Sequence, residues 1–376
     1  MNIHLVDDQK FINQAIERTS INSQKQNIFI CNVKKQDSYF VENRDNVSFF
    51  EFSIELDQVK SKILETIENT NEVKIFVHYL EFYKAKLINE IFKDHKIETY
   101  WIFYGNDLYK HLYRLGRYDL FDKKDNGFIS QVRKTLRKNF VKIFKQKEQK
   151  EIKQFIFNLD FFCFWNIYDY ELLTQHFKTK AEFRNFRYDS VNYPRKFSLN
   201  KDSNKYNVLV NHSASASGNH LSILNVLNRN EYKNAIDNLY VPLNYGNKEN
   251  ADSVNTFCEQ NFRKIYYPIL NFLPKAQYYE LLDGVDVAFF GHRRQEAGNN
   301  INYLLNNGVK VYLREDNNLL KFYKNIGVYI FSFEKDLKKG QIFSTLSHEK
   351  QQHNHDIVSS YFSDEVINGW YKDLLN

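Results

Sequence analysis

Cysteine, proline and glycine are all scarce here, at three, four and twelve residues in a chain of 376. Cys31, Cys163 and Cys258 stand far apart with no CxxC pair. That spacing argues against a disulfide framework or a zinc site, and it fits a reducing compartment. No stretch is long and apolar enough to cross a bilayer: the most apolar one, Phe155 to Tyr168, is interrupted by Asn158, Asp160 and Asn166. Residues Met1 to Val6 read directly as a strand, so no secretory leader is expected ahead of the fold, and any membrane association is expected to be peripheral. GxGxxG, P-loop, HExxH and GxSxG motifs are absent.

What remains is globular usage, 43% hydrophobic and 26% charged, with 33 Phe and 26 Tyr. A net charge of +6 is compatible with an anionic partner without choosing among nucleic acid, phospholipid and nucleotide. Short β-branched or aromatic runs alternate with amphipathic stretches, the signature of α/β architecture. Strands are expected near 2–6, 27–33, 48–52, 73–78 and 98–104, with helices near 9–19, 57–69 and 82–94. A basic helix follows at about 130–148, then an aromatic strand from 155. A polar run, Ser198 to Lys205, reads as a linker. A second series of strands is expected at 206–210, 238–242, 263–267, 285–290, 309–313 and 327–332. The chain therefore divides into an N-terminal domain 1–197, a linker 198–205, a second domain 206–352 and a C-terminal helix 353–376 that packs back across the linker. Two Rossmann-like halves imply a central cleft, with ligands beyond the carboxyl ends of the strands.

Three loops in the second half carry polar groups at such strand ends. Asn211 to His220 follows a buried strand with Ser213, Ser215, Ser217, Gly218, Asn219 and His220, just before a helix. Small and hydroxyl residues beside a helix N-terminus suit a phosphate, although Ser217 as an ordinary N-cap explains the run equally well. The second loop, Gly291 to Asn300, offers Arg293 and Arg294 to a diphosphate, and Gln295, Asn299 and Asn300 to sugar hydroxyls. A solvated charged loop is the plainer alternative. The third is the turn Pro242 to Gly246, with Tyr245 on its rim, or simply a left-handed turn at Gly246. Asp283 and Asp286 read as strand lead-in residues rather than a metal pair.

In the N-terminal half, Asp8, His78 and Asp107 stand at strand ends and are candidates for a general base. Asp107 ranks first because it follows a Gly105 turn, yet capping of the next helix is the commoner use of such an aspartate. Residues 131–145 form a basic amphipathic stretch, with Arg133, Lys134, Arg137 and Lys138 suited to an anionic membrane surface. A solvated face or a nucleic acid would account for the same charge.

Together these segments resemble glycosyltransferase family 56, the N-acetylfucosaminyltransferases of the enterobacterial-common-antigen type. The matching pieces are Asp7 to Ile12, Val77 to Leu80, Tyr104 to Tyr109, Arg133 with Leu136 and Arg137, and Asn211 to His220. They continue through Val241 to Gly246, Arg294-Gln295 with Asn299-Asn300, and Asn307-Gly308-Val309 to Arg314–Asn317. The resemblance implies a GT-B fold and a metal-independent, cofactor-free enzyme. Its implied reaction moves 4-acetamido-4,6-dideoxygalactose, or a related 6-deoxyhexose, from a dTDP donor to an undecaprenyl-diphosphate-linked saccharide. It further implies a cytoplasmic protein, peripheral on the inner face of the inner membrane, with no nucleic-acid partner. A GT-B-like sugar-nucleotide epimerase, or a non-catalytic nucleotide- or glycan-binding protein, are the rival readings.

Overall fold

A computed structural model describes residues 1–9, 11–70, 72–122, 146–192, 205–337 and 343–376. The chain forms two compact units: one from the described residues of 1–118, 126–190 and 364–376, the other from those of 119–125 and 191–363.

The first unit is built on a seven-stranded, wholly parallel sheet. Its strands are β1 (Asn2–Asp7), β2 (Asn27–Asn32), β3 (Val47–Phe50), β4 (Lys74–His78), β5 (Glu98–Ile102), β6 (Phe161–Cys163) and β7 (Glu182–Arg184). The order is β3-β2-β1-β4-β5-β6-β7, so the winding direction reverses between β1 and β4. Strands β1 and β4 are near-continuous runs of buried residues, as sheets covered on both faces require. The connecting helices are α1 (Ile12–Asn22), α2 (Leu56–Glu68), α3 (Phe82–Ile91), α4 (Asn106–Arg114), α5 (Gln146–Asn158) and α6 (Ile167–His176).

Residues 155–158, expected to open a strand, are instead the last turn of α5. Ile152, Phe155, Ile156 and Leu159 recur at spacings of three and four and are all buried, a helical stripe rather than an alternating one. The strand proper is only Phe161–Cys163. The basic stretch 131–145 lies outside the described residues, as does most of the expected linker 198–205.

The second unit repeats the plan with six parallel strands: β8 (Tyr206–Val210), β9 (Ile236–Pro242), β10 (Tyr266–Ile269), β11 (Val287–Phe290), β12 (Lys310–Leu313) and β13 (Phe331–Ser332). Their order is β10-β9-β8-β11-β12-β13, reversing between β8 and β11. Val208, Val210, Val287, Phe289 and Tyr312 form its core with Leu224, Leu239 and Phe262. Its helices are α7 (His220–Leu227), α8 (Asn230–Lys233), α9 (Lys248–Phe262), α10 (Lys275–Asp283), α11 (Gly298–Asn306), α12 (Asn318–Asn325) and α13 (His348–Tyr361). Asp286 is indeed a lead-in residue: its Oδ2 accepts from the Asn207 amide at 2.7 Å.

The C-terminal segment is two helices rather than one. After α13 the chain breaks at Phe362 and resumes as α14 (Asp364–Leu375), which belongs to the first unit. There Ile367, Tyr371, Leu374 and Leu375 are buried. The Leu375 and Leu374 carbonyls accept from Asn2 Nδ2 at 3.0 Å and Lys74 Nζ at 3.1 Å, and Asp364 pairs with Arg18 at 3.0 Å.

Candidate active site

Ligands of doubly wound sheets bind beyond the carboxyl ends of the strands, where the winding reverses. In the second unit that place is built by the loops after β8, β9 and β11. Asn211, at φ 60°, ends β8; its Nδ2 donates to the Gly218 carbonyl at 3.0 Å and its Oδ1 accepts from the Gly291 amide at 2.8 Å. The two loops approach so closely that a Cβ on Gly291 would stand 2.2 Å from the Gly218 carbonyl oxygen. Only glycine fits there. The third loop is stitched on in the same way. Ala214 N donates to Tyr245 O at 2.7 Å and Asn247 N to Ala214 O at 3.1 Å, across a Gly246 at φ +119° whose added Cβ would meet Ala214 backbone at 2.7 Å.

Helix α7 begins at His220 with Asn219 in the left-handed region as its N-cap residue, so Ser217 is not the cap. Ser217 closes a short 3-10 turn, and its hydroxyl reaches Ser215 Oγ at 2.9 Å and Glu296 Oε2 at 3.3 Å. Ser213 is buried, and Ser215 Oγ lies beside it on a half-buried rim. Asn219 is structural: its Nδ2 donates to the carbonyls of Gly291 (2.9 Å), Ser217 (3.0 Å) and Leu120 (3.1 Å). Tyr245 is half exposed and sets its ring edge-on to His212, 5.9 Å between centroids. Pro242 ends β9 beneath it.

At the centre stands Glu296, which sequence reasoning missed as a site residue. Arg294 Nη2 lies 2.6 Å from its Oε2. His292 Nε2 is 3.4 Å from Oε2 and His212 Nε2 3.8 Å from Oε1. Burial holds the His212 imidazole down at about 3, the His220 one at about 4 and the His292 one well below the usual range, so all three rings are neutral. His212 Nδ1, His220 Nε2, both nitrogens of His292 and Arg294 Nε are buried without a hydrogen-bond partner. Five such atoms around one carboxylate mark a place made for a polar ligand. Gln295 and Asn300 are partly buried and Asn299 is exposed on the first turn of α11.

Arg293 does not take the role expected for it. Its guanidinium is paired with Asp122, at 2.8 Å, and with Asp316. Asp122 also accepts from Arg314 Nη1 at 2.7 Å and from the Ser222 hydroxyl, while Arg314 reaches on to Glu334. Burial alone would lift the Asp122 carboxyl, but the bonds from Arg314, Ser222 and Arg293 outweigh it and set it at about 2. No motif marked Asp122, because its partners lie more than 90 residues away in sequence. Asn317 fixes the same loop, its Nδ2 donating to the carbonyls of His292 (2.8 Å) and Arg294 (3.0 Å).

The corresponding edge of the first unit is differently used. Asp107 is 1% exposed; its Oδ2 accepts from Trp101 Nε1 at 2.8 Å and the Leu80 amide at 3.1 Å, and its Oδ1 from the Tyr104 amide at 3.2 Å. Burial, offset in part by those donors, raises its carboxyl to about 6. His78 is buried with both nitrogens engaged, Nε2 with His4 Nδ1 at 3.1 Å and Nδ1 with the Tyr188 hydroxyl. Asp8 accepts from the Tyr39, Phe40 and Val41 amides at 2.7–2.9 Å and so holds that loop. A fully buried Lys84, unmarked in the sequence reading, donates to Asp7 at 2.6 Å and to the His78 carbonyl at 2.7 Å. Arg133, Lys134, Arg137 and Lys138 lie outside the described residues.

Two parallel-sheet units with this topology define a GT-B fold, and solved structures agree. Similar ones include sucrose-phosphate synthase from Thermosynechococcus elongatus (TM-score 0.67, 8% identity, 100% of this chain and 98% of that one). Another is HepE from Anabaena in complex with UDP-glucose (TM-score 0.63, 8% identity, 100% and 99%). A third is a glycosyltransferase from Rickettsia africae (TM-score 0.60, 12% identity, 100% and 98%). No curated protein sequence matches. The sequence model of glycosyl transferase group 56, described as 4-alpha-L-fucosyltransferase, matches residues 166–376. The chain belongs to that family and is a glycosyltransferase, an enzyme of sugar transfer.

Proposed function

We propose that this enzyme transfers a deoxyamino sugar, 4-acetamido-4,6-dideoxygalactose or a related 6-deoxyhexose, from a dTDP-type donor to an undecaprenyl-diphosphate-linked saccharide in surface glycan synthesis. The donor's place is the second unit. The observation that carries this is the convergence of three strand-end loops on Arg294 and Glu296, surrounded by buried polar atoms that have no partner within the protein.

Departure of a nucleoside diphosphate puts negative charge on the leaving phosphate, and donors already in position stabilise it. Arg294 supplies one such charge. The free amides at the start of α7 supply dipole and hydrogen bonds beside Ser213, Ser215 and Ser217. Gln295, Asn299, Asn300, His220 and Tyr245 then serve the sugar and nucleoside. Arg293 acts one step removed, holding Asp122 and Asp316 and with them the loop.

The acceptor falls to the first unit. Asp107 is the proposed base, since burial has brought its carboxyl to about 6, near the range in which a carboxylate accepts a hydroxyl proton. No helix among the described residues is long and apolar enough to cross a membrane. Delivery to the inner face of the inner membrane is assigned to Arg133, Lys134, Arg137 and Lys138, on the strength of their one-sided charge.

The test is calorimetric titration with dTDP. Arg294→Ala is expected to weaken binding by roughly 1.5–3 kcal/mol, the range for a charge-assisted hydrogen bond. Unchanged affinity in a folded variant overturns the assignment.

A further inference from the structure

The Glu296 cluster has a second property that donor binding does not require. One ring nitrogen each of His212 and His292 and a Glu296 oxygen all lie within 4.8 Å of one another, converging from two loops. Their closest separations, 3.4 and 3.8 Å, are too long for good hydrogen bonds, and His292 Nε2 makes none. Ligand atoms on a tetrahedral zinc ion, at bonds of about 2.1 Å, stand roughly 3.4 Å apart. The trio is therefore spaced as ligands are, not as hydrogen-bond partners are.

We infer that His212, His292 and Glu296 form a binding site for a zinc-class divalent cation that fastens the loop after β8 to the loop after β11. Three features point the same way. His292 is fully buried with an unpartnered nitrogen aimed at the carboxylate, so nothing within the protein satisfies it. The His212 side chain is 10% exposed and the His292 side chain 1%, and both turn a ring nitrogen toward the same carboxylate. Glu296 is oriented from outside the trio: Arg294 at 2.6 Å and Ser217 at 3.3 Å both take Oε2, leaving Oε1 turned to His212. A carboxylate steered by such outer partners is the usual arrangement around a ligating group. Two imidazoles and one carboxylate select zinc, cobalt or nickel over magnesium, calcium or manganese, whose preference is for oxygen.

The site joins loops already pinned by Asn211 and Gly291, so its effect is on their stability rather than on the leaving group. It therefore stands apart from the metal-independent transfer that the family resemblance implies. The donor reading is tested separately, by titrating dTDP into the wild-type chain with and without zinc: loss of zinc binding and loss of dTDP binding are then distinct failures.

The experiment is calorimetry of the full chain, stripped with chelator, against zinc chloride and against magnesium chloride, with a melting curve for each. One equivalent of zinc is expected to bind in the micromolar range or tighter and to raise the melting temperature, while magnesium does neither. Glu296→Gln and His292→Ala should each weaken zinc by at least about tenfold, the lower bound even for an outer partner of a metal ligand. His353→Ala, at an exposed position on α13, should leave zinc binding unchanged. Cobalt in place of zinc should give the visible bands of a tetrahedral site in the wild type and lose them in Glu296→Gln. Should His292→Ala fail to fold, His212→Gln, at a side chain 10% exposed, decides in its place. Absence of zinc binding, binding indifferent to all three trio variants, binding lost in His353→Ala, or equal binding of magnesium would each overturn the site.

Discussion

The two units share one plan and use its functional edge in opposite ways. In both, a parallel sheet reverses its winding beside the first strand of the unit, β1 against β4 and β8 against β11. In the first unit the groups gathered there are consumed by the protein itself. Asp107 is taken by an indole and two amides, Asp8 by three amides, Asp7 by Lys84, and His78 by His4 and Tyr188. None of these has a buried atom left without a partner. In the second unit, three neutral histidines and one arginine keep five such atoms around Glu296. An unpaired buried polar group costs about 1–3 kcal/mol, so a set of them persists where a ligand repays it. The lesson is that topology names the place where a site can be, and unsatisfied polar atoms mark the edge whose hydrogen-bonding demand the protein itself leaves unmet.

The sharpest way to break this comparison is at Asp122, a carboxylate of the second unit with both oxygens spent on partners. Asp122→Ala leaves Arg293 and Arg314 side by side without their shared counter-charge. Removing one member of a buried ion network costs about 3–5 kcal/mol, and partial exposure of Asp122 and Arg293 brings the expectation to about 2–4 kcal/mol. Urea denaturation of the variant measures it; a loss within about 0.5 kcal/mol, the scatter of ordinary surface changes, would show the network to be ornamental.

Asp107→Asn comes next, and it asks whether the first unit's edge is only structural. The amide keeps the shape but not both acceptors, so stability is expected to fall by about 1–2 kcal/mol with dTDP affinity unchanged. Turnover is the deciding readout: a fall of about 100-fold or more assigns Asp107 as the base, and near-normal turnover leaves it only the structural acceptor for Trp101, Leu80 and Tyr104.

A third effect follows from pH. His4 is stacked between Phe29 and Phe76, and burial lowers its imidazole to about 3; His78 is pushed well down by burial, then by His4 and Lys84. In the unfolded chain both take protons near 6.5, whereas the folded chain refuses them. Stability is thus full above about 6.5 and is lost as pH falls below it, by up to about 1.4 kcal/mol per pH unit for each ring. Replacing His4 with Phe should remove one ring's share of that slope in denaturation curves taken between pH 7 and pH 5; an unaltered slope contradicts the burial argument. The smallest expected effect is none at all: turnover should persist in EDTA, because protein donors supply the charge at the leaving phosphate. Loss restored by magnesium or manganese would reverse that view.

Much of the architecture was legible in the sequence because parallel strands buried on both faces announce themselves as short apolar runs. The elements at 2–7, 27–32, 74–78, 206–210 and 287–290 fall where such runs stand. Misreadings have a common cause. Phe155 to Asn158 is as aromatic as a strand, but its buried residues follow a helical period that extends back into Ile152. Strands β10 and β13 were placed too early, since an edge strand needs only a few residues and carries little pattern. Among site residues, the Ser-rich and Arg-rich loops were visible from composition. His212, His292 and Glu296 were in view but unread, because an HxxxE spacing within a loop means nothing until a second histidine arrives from another strand.

By itself, the sequence determined the fold class and the family, both of which follow from local pattern and from order along the chain. Only the tertiary structure decided which carboxylates each charge meets. Arg293 and Arg294 are neighbours in sequence and equal in chemistry, yet one pairs with Asp122 and Asp316 while the other pairs with Glu296 and keeps a buried nitrogen without a hydrogen-bond partner. That difference is set by a carboxylate 171 residues away. Pairing of charges depends on distance in space, and nothing in the spacing of residues along a chain encodes it.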